Sequence, residues 1–79
     1  MNHRICLIED DEILGEALVE RFEEDALGCD WFKDGADALR ALRQKHYSVV
    51  VSDIHLPDLT GEALYQKLLD AGKAMPAFI

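Results

Sequence analysis

Apolar residues fall into short uninterrupted blocks that alternate with stretches of helical periodicity. Ile5, Cys6, Leu7 and Ile8 follow a polar start without a break, the pattern of a strand buried on both faces of a parallel sheet. The block ends at Glu9-Asp10-Asp11-Glu12. Beyond it Ile13, Leu14, Ala17, Leu18 and Phe22 recur at helical spacing, with Glu16, Glu20, Arg21, Glu23 and Glu24 between them. That spacing predicts an amphipathic helix to about Asp25, and acids at its start suit the positive end of the helix dipole. Gly28 is the expected stop, and Cys29 to Lys33, carrying Trp31 and Phe32, is the expected second strand.

Asp34-Gly35 is a turn signal before a second helix with Ala38, Leu39 and Leu42 on one face and Arg40, Arg43 and Lys45 toward its end. Tyr47 to Ser52, with three consecutive valines, is the strongest strand signal in the chain. It delivers Asp53 into a segment punctuated by Pro57 and Gly61 that cannot continue the strand. Leu64, Tyr65, Leu68 and Leu69 form a third helical face closed near Ala71-Gly72, and Pro76 to Ile79 begins a fourth strand. Trp31, Phe32 and Tyr65 read as core, sheet-edge or helix-face aromatics.

Strands alternating with helices of this length specify parallel βαβ units, right-handed crossovers and an α/β sheet covered on both faces. Ligands in such sheets gather at the carboxyl ends of the strands. If strands one and three are neighbours, that rule brings Glu9, Asp10 and Asp53 to one crevice.

Length and charge narrow the picture further. Seventy-nine residues suffice for one domain or part of one. A hydrophobic share of 49% beside 30% charged residues predicts a packed core rather than a disordered chain. The net charge of −8 opposes binding to nucleic acid or to an anionic membrane and favours a metal cation or a basic partner. The first apolar block is too short for a signal peptide or a membrane span, so a cytoplasmic protein is expected. Cys6 and Cys29 have no CxxC spacing and read as reduced thiols.

Carboxylates packed a few ångströms apart repel by about 1 kcal/mol per pair at water's dielectric and about 4 kcal/mol at an effective value of 20. A cation relieves that repulsion. Mg²⁺ suits the donor set, because it takes one or two carboxylates, retained waters and a phosphoryl oxygen. Taken singly, the front acids fit a solvated helix N-terminus and Asp53 fits a turn residue.

Jointly, Leu7-Ile8-Glu9-Asp10-Asp11, the valine-rich strand leading to Asp53, and Asp53-x-x-Leu56-Pro57-x-x-x-Gly61 resemble the receiver domain of two-component response regulators. The likeness runs through the whole chain, over three strand-helix units and the start of a fourth. It implies a flavodoxin-like doubly wound parallel sheet of order 2-1-3-4-5. By position it implies that Asp53 accepts a phosphoryl group from a histidine kinase or phosphotransfer protein. It also implies that Asp10, Asp53 and the His55 backbone carbonyl ligate Mg²⁺, with Glu9 acting through water and Asp11 in a lesser role. Leu56, Pro57 and Gly61 are then architectural.

The family's Ser or Thr after strand four and Lys after strand five have no counterpart before Ile79. The expectation is therefore one receiver domain over residues 1–79, incomplete at its C-terminal end within strand four, and marginal or aggregation-prone alone. A C-terminal effector domain, DNA-binding in many relatives, is a further expectation. Two other readings stay open. A haloacid-dehalogenase-type phosphohydrolase would use Asp10-x-Glu12 but leaves Asp53 and Leu56-Pro57 without a task. A receiver-shaped interaction module would dispense with phosphotransfer.

Overall fold

The computed structural model describes residues 4–52, 58, 60–70, 72 and 77–78. Four strands and three helices alternate: β1 (Arg4–Ile8), α1 (Glu12–Glu24), β2 (Gly28–Phe32), α2 (Gly35–Gln44), β3 (Val49–Ser52), α3 (Gly61–Asp70) and β4 (Ala77–Phe78). The strands form one sheet of order β2-β1-β3-β4 in which every pairing is parallel. Strands one and three are thus neighbours, as the crevice requires.

The chain first steps to one side of β1 and then crosses back to the other. Right-handed crossovers consequently place α1 on one sheet face and α2 with α3 on the opposite face. Side chains alternate to match. Cys6, Ile8 and Val50 point into the main core with Ala38, Leu42, Tyr47, Leu64 and Leu68. Leu7 is buried as well, and its register partner is Trp31, which lies against Gly15 of α1. The continuous apolar block of β1 is therefore explained by a central strand covered twice.

Helix α1 turns a different face inward from the one its largest apolar residues suggest. Gly15 is buried, and Leu18, Val19 and Phe22 are partly buried at i+3, i+4 and i+7, whereas Ile13 is 84% exposed and Leu14 is also exposed. The cause is Trp31. A Cβ placed on Gly15 would sit 2.1 Å from Trp31 Cζ2, so the indole occupies the space where a larger helix residue would pack.

Gly28 does not stop α1; it opens β2. The stop comes two residues earlier, at Ala26, whose φ of 58° is left-handed. The Ala26 N–H donates to the Glu23 carbonyl (3.0 Å) and the Leu27 N–H to the Phe22 carbonyl (2.9 Å). This is a Schellman ending with alanine where glycine is the usual occupant. Gly72, with φ 70° and its N–H on the Leu69 carbonyl at 3.0 Å, ends α3 in the expected place.

At the amino-terminal end of the sheet, Asp30 gathers β1, β2 and the α2–β3 connection. It accepts from Tyr47 Oη at 2.6 Å and from Arg4 Nε at 3.0 Å, pairs with a second Arg4 nitrogen, and has Lys45 Nζ at 3.7 Å. Arg4's hydrogen bond, helped by Tyr47's and opposed by partial burial, holds the Asp30 carboxyl at about 2. Burial, then the bond to Asp30, raises the Tyr47 phenol above its ordinary value.

Two stability outcomes are expected. Ala26→Gly removes the left-handed penalty on a Cβ and should raise stability by about 1 kcal/mol in urea unfolding. Because the folded Asp30 pKa lies below its unfolded value, its contribution is complete above pH about 4 and is lost as pH falls through about 2. Asp30→Asn should abolish that acid-side slope and cost about 1 kcal/mol at pH 7, measured by denaturant midpoints at several pH values.

Candidate functional site

The carboxyl ends of β1 and β3 leave the sheet side by side, because Ile8 is the register partner of Ser52. Glu9 and Asp10 follow the first strand; Asp53 follows the second in sequence. Asp53, His55, Leu56 and Pro57 lie outside the described residues.

The four consecutive acids after β1 carry four different environments. Glu9 is buried, with 7% of its surface exposed. Its Oε2 accepts from the Asp11 N–H at 3.1 Å. Asp10 is exposed, and among the described residues nothing pairs with its carboxylate. Asp11 is the N-cap of α1: its Oδ1 accepts from the N–H groups of Ile13 (2.9 Å) and Leu14 (3.1 Å), bonds that satisfy two orphan donors of the first turn. Glu12 pairs with Lys33, whose hydrogen bond holds the carboxyl below its ordinary range. The helix-terminus reading therefore describes Asp11 and Glu12, whereas Glu9 is buried against the Asp11 amide and Asp10 is exposed.

Backbone bonds fix the turn that presents them. The Glu9 N–H donates to the Phe32 carbonyl at 3.0 Å, and the Trp31 Nε1–H donates to the Glu9 carbonyl at 2.8 Å. Lys33 Nζ sits 5.4 Å from the centre of the Trp31 ring, within cation–π range.

A second anchor comes from the segment after β3. Asp58 accepts from the Gly35 N–H (2.8 Å) and the Ala36 N–H (2.9 Å). Asp34, the N-cap of α2, accepts from the Asp37 N–H at 2.8 Å, and the Ala38 N–H reaches the Asp34 carbonyl at 3.4 Å. The free donors of Gly35, Ala36 and Asp37 in the first turn of α2 are thus satisfied, two of them by a residue 23 and 22 positions away. Asp34-Gly35 is accordingly a helix cap as well as a turn. Neither Asp58's role nor Trp31's is visible in the motif spacing, because each depends on a contact between distant elements.

Among the described residues no group of three or more His, Cys, Asp or Glu side chains is assembled as a metal cluster. Glu9 and Asp10 nonetheless fit Mg²⁺ in kind: two adjacent hard oxygen donors, one buried and orientated by a backbone amide, the other open. A groove between β2 and α2, lined by Asp30, Phe32, Arg40 and Lys45, lies apart from this acidic turn. The cysteines are free. Burial pushes the Cys6 thiol up to about 12 and also raises Cys29, which leaves both poorly nucleophilic. No described helix is long and apolar enough to cross a membrane.

Comparison with known proteins agrees with this geometry. The response regulator receiver domain matches residues 5–79. The transcriptional regulatory protein QseB of Haemophilus influenzae is 36% identical over 76 residues, covering 96% of this chain and 34% of its own length. The chain thus spans about a third of that relative. Among solved structures, the non-phosphorylated HemR receiver domain of Leptospira biflexa superposes with a TM-score of 0.85 at 38% identity, covering 98% of this chain and 63% of its own. The response regulator TrrA of Thermotoga maritima, solved with Mg²⁺ and BeF, gives 0.80 at 25% identity over 87% of this chain and 60% of its own. TrrA has also been solved in complex with the histidine kinase ThkA, a match at TM-score 0.83 and 24% identity covering 96% of this chain and 65% of that one. With the parallel β2-β1-β3 arrangement and the family match over nearly its whole length, this chain belongs to the response regulator receiver domain family, a signalling module of two-component systems rather than a classical enzyme.

Proposed function

We propose that residues 1–79 are the front portion of a phosphoacceptor receiver domain in which Asp53 takes a phosphoryl group from the phosphohistidine of a histidine kinase or phosphotransfer protein. The observation that carries this reading is the Ile8–Ser52 register, which sends the chain out of β1 and β3 at one sheet edge, where Glu9-Asp10 and Asp53 follow in sequence. Family membership and the Mg²⁺–BeF and kinase complexes of TrrA support it.

In this reading an Asp53 carboxylate oxygen attacks phosphorus as the phosphorus–nitrogen bond of the donor breaks, and the imidazole leaves with the bonding pair and gains a proton. Asp10, Asp53 and the His55 carbonyl would hold Mg²⁺, with Glu9 acting through water. When bound there, Mg²⁺ would supply positive charge that offsets the charge on the transferring oxygens. Glu9, seated by the Asp11 amide, would orient water around a bound metal, and Asp10 would offer the open carboxylate. Phosphorylation adds a charge of about −1.5 to −2 to an already acidic edge, so metal and phosphoryl group support one another. A phosphohistidine donor fits a cytoplasmic setting, and a C-terminal effector would read the change; the relative QseB is a transcriptional regulatory protein, which fits a DNA-binding effector. Engagement of Glu12 by Lys33 weighs against an Asp10-x-Glu12 hydrolase.

Incubation with acetyl phosphate and Mg²⁺, followed by intact-mass analysis, tests the proposal. One alkali-labile phosphoryl group is expected, absent from Asp53→Asn and reduced at least about tenfold by Asp10→Asn or by EDTA. Label retained in Asp53→Asn, or steady hydrolysis through Asp10, contradicts it.

A further inference from the structure

We infer that Trp31 is a positioning residue for the cation site: its indole N–H, bonded to the Glu9 carbonyl, fixes the turn from which Glu9 and Asp10 are presented. The inference rests on the reading of Glu9 and Asp10 as the metal-facing acids. It extends the site to a residue on the outer strand that no ligand-spacing argument includes.

Both polar groups of the Glu9 peptide unit flanks are held from β2. The Glu9 N–H reaches the Phe32 carbonyl at 3.0 Å and the Glu9 carbonyl receives Trp31 Nε1–H at 2.8 Å. One bond continues the strand ladder; the other is a side-chain bond at the point where the ladder ends. On the far side of Asp10, the Asp11 N–H is held by Glu9 Oε2, and Asp11 itself is tied down as the cap of α1. Asp10 is therefore flanked by two residues with little freedom to turn. Without the Trp31 bond, the carbonyl that begins the Glu9–Asp10 peptide loses its partner among these contacts, and that peptide can rotate.

The indole is itself held in place. Gly15 leaves room for the ring against α1, since a Cβ there would approach Trp31 Cζ2 to 2.1 Å and Cε2 to 2.4 Å. Lys33 lies over the ring and also pairs with Glu12 in the first turn of α1. Trp31 thus joins the end of β2, the start of α1 and the acidic turn. Side chains that orient a metal's direct ligands commonly govern its affinity by about 10- to 100-fold. Trp31 acts one peptide away, so a smaller loss is expected.

The test replaces Trp31 with 3-benzothienylalanine, which keeps the ring shape over Gly15 but carries sulfur in place of N–H, and with phenylalanine as a second variant. Mg²⁺ is titrated into the ¹⁵N-labelled chain, and affinity is read from the amides of Glu9, Asp10 and Asp11. A loss of about 3- to 10-fold is expected for both variants. In the unsubstituted chain the Trp31 indole N–H resonance should move with the same midpoint as the Asp10 amide. Asp30→Asn, which weakens the fold at the opposite end of the sheet, should keep the original affinity. Unchanged affinity in the benzothienyl variant, or an equal loss in Asp30→Asn, overturns the positioning role while leaving the cation site standing. Failure of the unsubstituted chain to respond to Mg²⁺ overturns the site and this inference together.

Discussion

Pairing of β1 with β3 is the constraint on which the rest depends. The two strands pair residues 44 positions apart, from Ile5–Val49 to Ile8–Ser52, so local propensity alone does not join them. Burial does. Ile5 through Ile8 are apolar on both sides, and a strand of that kind is stable only as a central strand with a neighbour on each edge and helices above and below. Once β1 lies between β2 and β3, the parallel register sets Ile8 level with both Phe32 and Ser52. Glu9 and Asp10, which follow Ile8, thereby leave the sheet at the edge where Ser52 ends β3.

The two ends of the sheet handle charge in opposite ways. At the amino-terminal end, Asp30 is surrounded by Arg4, Lys45 and the Tyr47 hydroxyl, and its negative charge is stabilised within the protein. At the carboxyl end, Asp11 and Glu12 are absorbed by the start of α1 and by Lys33, but Asp10 is left open beside a buried Glu9. A run of four acids in sequence is therefore four different groups in space. An ion pair of the Asp30 kind closes a structure, whereas Asp10 stays open to solvent beside a Glu9 that is buried and bonded to the Asp11 amide.

The alternation of elements and the parallel sheet were legible from periodicity, because the apolar blocks of β1 and β3 and the helical spacing of α2 reflect burial directly. The acidic pair was legible as a motif. Three features were not. The inward face of α1 runs through Gly15, which has no side chain to mark it, and its position follows only from the Trp31 ring. The end of α1 falls at Ala26, where the sheet crossover imposes a left-handed residue on an amino acid that does not advertise one. The bonds of Trp31 to Glu9 and of Asp58 to the start of α2 join residues 22 or more positions apart. Such contacts are consequences of packing, and a one-dimensional pattern holds no record of them. Asp53 and His55 rest on sequence position and family likeness.

Paramagnetic broadening by Mn²⁺, a spin-active substitute for Mg²⁺, tests most directly whether the carboxyl ends of β1 and β3 form one cation-binding edge. Substoichiometric Mn²⁺ added to the ¹⁵N-labelled chain should first erase the amide signals of Glu9, Asp10, Asp11 and the residues flanking Ser52, while those around Asp30 and Lys45 persist. Broadening centred on the acidic outer face of α1, at Glu16, Glu20 and Glu23, with the Ser52 amide unaffected, would contradict the account.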